Sequence, residues 1–359
     1  MLLLAMIGSA GVSWPADGAG IVTGETLTRG RYLMGTVLTI SVPGSAGERP
    51  IEAAFDEVAR LEEVMSNWRE TSEISRLNGA RPGYPVRCSE DLFDAIVAAL
   101  RWAEETAGAF DPTVEPLVQL LGLRRDGTPT RVTAHGAAAD PTMGNPQPTV
   151  VDRRALAVGF HHVVLDPVSR TVLYDTPGAG IDLGGIGKGI ALDAALRVLK
   201  MEGVDSALLD FGGQILASGS GPEGRGWPVG IADPDDRSAP VARVTIHDAS
   251  LATSGNGERS VATATGTIGH IIDPAGGASA PFRGTVTVAA DNATAADALS
   301  TALFVMGPEN GIRWAEERGV AALYLMRREG ELERDASRAF MDLTSSSSNS
   351  RSGAGSSGG

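Results

Sequence analysis

Apolar and polar residues first alternate regularly at Arg31–Val42, RYLMGTVLTISV, where β-branched side chains at alternate places predict a strand. The period then changes. Ile51, Ala54, Phe55, Val58, Leu61 and Val64 recur at helical spacing and predict an amphipathic helix over 51–68. Leu92 to Ala107 predicts a second helix, closed by the Pro-bounded loop AGAFDPTVEPL. Two more helices are predicted at Lys188–Lys200 and Ala295–Val305. Around them run the strand-like segments HHVVLD, TVLYD, SALLDFG, WPVGIAD, ARVTIHD, GTVTVAA and AALYLMR. Many strands and few helices, out of strict alternation, predict an α+β class rather than a doubly wound sheet. The expected architecture is a mixed sheet-and-helix fold, one large domain of two packed lobes.

The ends and one internal stretch break this pattern. The opening MLLLAMIGSAGVSWPADGAG is apolar and then rich in small residues, as in a signal peptide, but lacks the basic n-region. Residues 1–27 are therefore expected to be a leader, and the protein to be exported to the periplasm or the outer face of the inner membrane; the alternative is a frayed N-terminus on a cytoplasmic protein. No cysteine follows the apolar run to accept a lipid. The folded domain is expected over 28–343. The segment from about Gly122 to Pro148 has no periodicity and reads as a surface excursion. From Thr344 the sequence TSSSSNSRSGAGSSGG predicts a disordered tail over 344–359.

Composition excludes several functions. A formal charge of -14 over 359 residues disfavours nucleic-acid binding through phosphates, which needs a basic surface. The single cysteine, Cys88, permits neither an intrachain disulfide nor a cysteine-based metal site. The five histidines include no HExxH pair. No stretch reaches the roughly 20 apolar residues of a membrane span.

Three segments carry candidate chemistry. In Ile181–Asp193, IDLGGIGKGIALD, an apolar run enters a turn with Gly184, Gly185, Gly187 and Gly189, and Lys188 opens a helix. Such a turn lets backbone approach phosphate, with the helix N-terminus and the lysine supplying positive potential. It matches neither the P-loop nor GxGxxG, and by itself it also fits ordinary turn chemistry. In AADALSTALFVMG, Asp297 and Thr301 are four apart on one helical face. A carboxylate and a hydroxyl there suit a hard cation such as Mg²⁺; they equally suit a helix-dipole partner and a backbone-bonded threonine. LATSGNGER at Leu251–Arg259 and GHIIDPAG at Gly269–Gly276 read as two loops around His270, a histidine open to structural or catalytic use.

Taken together and in order, these segments resemble the ApbE-type FAD:protein FMN transferases. The matching blocks are MGT at Met34–Thr36, SNWRETSEISRLN at Ser66–Asn78, AFDPTVEPL at Ala109–Leu117, DLGGIGKG at Asp182–Gly189, LDFGGQILASG at Leu209–Gly219, ATSGNGER at Ala252–Arg259, GHIIDPAG at Gly269–Gly276 and TAADALSTALFVMG at Thr294–Gly307. The resemblance spans about residues 28–340. It implies that Asp297, Thr301 and the Gly185 carbonyl hold Mg²⁺. It places Met34, Trp68, Ala109, Phe110, Asp111, Asp182, Lys188, Glu258, His270 and Ile271 at the FAD, with Lys188, Asp182 and His270 carrying catalysis and His270 as the base. Two positions depart from the family pattern. Gly185 stands where the family usually has alanine, which leaves a carbonyl ligand intact, and Gly257 stands where it generally has an aromatic.

The implied reaction is Mg²⁺-dependent transfer of FMN from FAD to a threonine or serine hydroxyl of an acceptor protein, with release of AMP. The implied acceptor is a subunit of a membrane electron-transfer complex. Two alternatives stay open on sequence: an FAD pyrophosphatase that uses water as acceptor, and a non-catalytic flavin-binding maturation factor.

Overall fold

The computed structural model describes residues 21–23, 26–123, 156–222, 224–236, 238–255, 260–263 and 266–349. Its centre is a nine-stranded sheet whose spatial order repeats the chain order. The strands are β1 (Ile21–Thr23), β2 (Thr26–Leu33), β3 (Thr36–Pro43), β4 (Ala207–Phe211), β5 (Gln214–Ser218), β6 (Ala249–Gly255), β7 (Thr285–Ala290), β8 (Ala321–Arg328) and β9 (Glu331–Ala336). Every neighbouring pair is antiparallel. The helices lie in the connections. α1 (Arg49–Met65), α2 (Glu73–Asn78), α3 (Glu90–Glu105), α4 (Glu115–Leu120) and α5 (Gly187–Met201) separate β3 from β4; α6 (Ala293–Arg318) joins β7 to β8, and α7 (Arg338–Asn349) follows β9. Helices and strands thus mix in one antiparallel α+β architecture, the class that the hydrophobic pattern predicts.

The period-2 alternation of the strands divides the core between the two faces of the sheet. On β8, Ala322, Tyr324 and Met326 join the core of α2, α3 and α6, whereas Leu323 and Leu325 face the opposite core with Trp227, Ile231, Val244, Ile246 and Phe340. That opposite face is covered by the ribbon of strands Trp227–Ala232 and Pro240–Ile246 and by α7. A third core packs α1 and α5 on β2 to β5. Met34 touches both this core and that of α6.

Several elements differ from the sequence pattern for identifiable reasons. Arg31–Val42 is not one strand. It reverses at Met34 and Gly35, both at positive φ (45° and 81°), so that Leu33 pairs with Thr36 in a hairpin. Methionine carries no turn signature, so Gly35 alone marks the reversal in the sequence. Leu251–Gly255, read as part of a loop, is the greater part of β6 in the middle of the sheet. Its small polar residues are accommodated because their hydroxyls are paired: Ser250 to the Ile215 carbonyl at 2.7 Å, Thr253 to Thr287 at 2.8 Å and Ser254 to Ser300 at 2.8 Å. The helix expected over 295–305 continues to Arg318 across a break at Gly307 (φ 72°) and Pro308. There the buried Tyr324 hydroxyl donates to the Leu303 carbonyl at 2.5 Å. α7 runs to Asn349, into the segment read as a disordered tail. The excursion expected over 122–148 lies almost wholly outside the described residues.

Candidate active site

The glycine turn after Ile181 is held from behind by amides. Asn78 pairs with the Ile181 backbone as a neighbouring strand would, donating to its carbonyl at 2.8 Å and accepting from its N–H at 2.8 Å. Asn67 donates a second hydrogen bond to the same carbonyl at 2.8 Å. The Tyr174 hydroxyl donates to the Asn78 oxygen at 2.7 Å, and burial raises its pKa well above the ordinary value, so it remains a donor. With Ile181 fixed, Asp182 turns the chain: its N–H donates to the Pro112 carbonyl at 2.7 Å and its carboxylate accepts the Gly184 N–H at 2.6 Å.

α5 then starts at Gly187 without a side-chain N-cap, which leaves the positive end of the helix facing the turn. Lys188 sits in this first turn, half-buried, and makes no hydrogen bond or ion pair among the described residues. The next residue, Gly189, fixes the distance to α6. A Cβ there would lie 2.3 Å from the Ala293 carbonyl oxygen, and its N–H donates to Asp297 Oδ2 at 3.0 Å.

Asp297 is 5% exposed, and a carboxylate so buried requires partners. One turn further along α6, the Thr301 hydroxyl lies 3.2 Å from where a Cβ on Gly185 would stand, with Phe110 Cε2 3.1 Å from the same point. The structure therefore brings the glycine turn, Lys188, Asp297, Thr301 and Phe110 together. Among the described residues no group of three or more His, Cys, Asp or Glu side chains could hold a metal. Asp297 brings a carboxylate and Thr301 a hydroxyl to this place, hard oxygen donors that suit Mg²⁺ better than zinc.

The remaining expected residues stand on other turns and loops. Ala109 and Phe110 end the turn after α3, where Thr106 Oγ1 accepts the Phe110 N–H at 3.1 Å. The Asp111 carboxylate is engaged by the protein itself, accepting from the Thr113 N–H (2.8 Å), the Thr113 hydroxyl (2.6 Å) and the Phe160 N–H (3.1 Å). Met34 occupies the β2–β3 turn, its N–H donating to Glu62 at 3.1 Å. Trp68 is 61% exposed. His270 is half-buried beside Ile271, whose carbonyl accepts the Ala280 N–H at 2.9 Å. Glu258 and Gly257 lie outside the described residues.

Sequence reasoning did not single out Asn67, Asn78 or Asp193. The first two stand in SNWRETSEISRLN and the third closes IDLGGIGKGIALD. An asparagine closing a short helix and an aspartate in the middle of a longer one are the signals that were present, since neither residue favours such a position without a partner.

Known proteins resemble this chain in both sequence and fold. The profile of the ApbE family matches residues 34–324. The FAD:protein FMN transferase of Klebsiella pneumoniae (strain 342) is 32% identical over 332 residues, covering 88% of this chain and 87% of that protein. The FAD:protein FMN transferase of Salmonella typhimurium is 30% identical, covering 83% of each. Among solved structures, the flavin transferase ApbE from Vibrio cholerae superposes with a TM-score of 0.74 at 28% identity, over 89% of this chain and 99% of that one. The ApbE protein of Thermotoga maritima gives 0.76 at 28% identity, again over 89% and 99%. Sequence and fold agree over almost the same span, and the chain belongs to the ApbE family.

Proposed function

We propose that this protein is an FAD:protein FMN transferase that moves FMN from FAD to a threonine or serine hydroxyl of an acceptor protein and releases AMP. The observation that carries the reading is the meeting of Gly185 with Thr301 and of Gly189 with Asp297, beside a lysine that has no protein partner among the described residues. Storage of a flavin would need neither feature.

Asp297, Thr301 and the Gly185 carbonyl would hold Mg²⁺. When bound, the ion neutralises diphosphate charge and so stabilises the transition state. Lys188 and the uncapped N-terminus of α5 supply positive potential to the same phosphates, and the glycines allow the backbone to approach them. Asp182 keeps the turn in shape through Gly184. The acceptor hydroxyl attacks the FMN-side phosphorus, the bond to the AMP phosphate breaks, and His270 takes the hydroxyl proton. Most of the rate derives from placement and charge rather than from covalent chemistry by the protein.

The acceptor in this reading is a subunit of a membrane electron-transfer complex, met on the periplasmic side. The apolar opening of residues 1–20 supports export. No helix among the described residues is long and apolar enough to cross a membrane.

The test is mass spectrometry of an acceptor domain after incubation with this protein, FAD and Mg²⁺. The expected result is an acceptor heavier by one FMN, with AMP in equal amount. Rapid release of free FMN with no mass shift would make the protein a pyrophosphatase, and no turnover at all would make it a binder.

A further inference from the structure

α5 and α6 meet in a ladder with four-residue steps. Gly185 faces Thr301, whose hydroxyl would lie 3.2 Å from a Cβ there, the Gly189 N–H bonds to Asp297, and Asp193 bonds to the start of α6 at Ala293 and Thr294. The first two rungs lie in the candidate site. The third, Asp193, has no role in it.

Asp193 Oδ1 accepts the Ala293 N–H at 2.8 Å, and Oδ2 accepts the Thr294 N–H at 2.9 Å and the Thr294 hydroxyl at 2.6 Å. Free N–H groups at a helix start need acceptors, and a carboxylate there also gains from the helix dipole. Yet α6 already carries its own cap, since Asn292 accepts the Ala295 N–H at 2.8 Å. A cap on the same chain segment stabilises a helix. One donated by a different helix fixes the two helices relative to each other. Because Asp193 lies on the helix that Lys188 opens, and Ala293 begins the helix that bears Asp297 and Thr301, the fixed quantity is the position of the oxygen donors against the glycine turn.

We propose that Asp193 is a positioning residue that sets the metal affinity of the site by holding α6 in register with α5. The inference rests on the metal reading given under Proposed function. Its test uses Mn²⁺ in place of Mg²⁺, followed by electron paramagnetic resonance on the folded protein with FAD and without acceptor. Asp193→Asn keeps the size but faces two N–H donors with an amide. It is expected to weaken Mn²⁺ binding about 10- to 100-fold, the usual effect of losing a partner that orients ligands.

Asn292→Ala removes the local cap of α6 and is expected to lower the melting temperature while leaving Mn²⁺ affinity within about twofold of wild type, as for a loss confined to helix capping. Thr294→Val removes one hydrogen bond of the three and is expected to weaken Mn²⁺ severalfold; it decides the matter if Asp193→Asn does not fold. Wild-type affinity in Asp193→Asn or, failing that variant, in Thr294→Val overturns the proposal, as does an equal loss in Asn292→Ala. If wild type binds no Mn²⁺, or Asp297→Ala binds it as tightly as wild type, the metal reading itself falls and takes this inference with it.

Discussion

The backbone N–H of Gly189 donates to the carboxylate of Asp297 across 3.0 Å, at a point where the α5 backbone comes so close to Ala293 that a Cβ would lie 2.3 Å from its carbonyl oxygen. Only glycine fits there. Gly189→Ala is therefore expected to force the helices apart and to destabilise the fold by about 1–3 kcal/mol, the usual cost of overpacking. Urea denaturation checks this, and an unchanged midpoint would mean that α5 and α6 separate without strain.

Asp297 sets its buried carboxylate beside the glycine turn, where it accepts the Gly189 N–H. Asp297→Ala is expected to abolish AMP release at saturating FAD and Mg²⁺ while the far-ultraviolet circular dichroism stays that of wild type. Thr301→Ala should be milder, because water can replace a neutral ligand. Near-wild-type turnover by Asp297→Ala would remove the metal from the site.

Lys188 has no protein partner among the described residues, so its charge is left to a ligand. Steady-state kinetics of Lys188→Ala should show a raised KM for FAD together with a lowered kcat, since a point charge beside the diphosphate acts in both ground and transition states. Lys188→Arg should recover part of the loss. Wild-type kinetics in the alanine variant would return the lysine to a simple surface role.

The ease of reading these positions from sequence varied with how local their physics is. Helices α1, α3 and α5 were legible because their apolar stripes follow the helical period. So was the nearness of Asp297 and Thr301, which needs only a four-residue spacing on one helix. β6 was not, because the hydroxyls of its Ser and Thr residues are paired on other elements, with the Ile215 carbonyl and the hydroxyls of Thr287 and Ser300. The same holds for Asn78, whose partner Ile181 is far away in the chain. Asp111 carries a structural task that its motif does not announce. Its carboxylate organises Thr113 and Phe160, a task invisible until the loop of residues 156–160 is in place.

Cys88 is buried, and that burial, reinforced by the charge of Glu73, pushes its thiol up to about 11. The shift disfavours the thiolate, so at pH 8 only about one molecule in a thousand carries the nucleophilic form. Native protein at that pH should resist iodoacetamide, while protein in urea should react at this single site. Rapid alkylation of the native chain would show that the segment around Cys88 opens.

The order of the sheet has a consequence for how the chain reaches its final form. β3 pairs with β4 through Leu38 and Phe211, so the first hairpin must wait for the whole stretch from Gly44 to Ser206 before its second edge is covered. Closing so long a loop adds little free energy, because the cost grows only with the logarithm of length, but such non-local pairing is slow. During synthesis the ribosome therefore holds out an apolar hairpin with one edge open to other chains, a hazard of the kind that chaperones relieve. Nascent chains stalled before Ala207 should accordingly bind a holdase and be cut readily by protease, and those stalled well beyond Ser218 should be protected over β2 and β3.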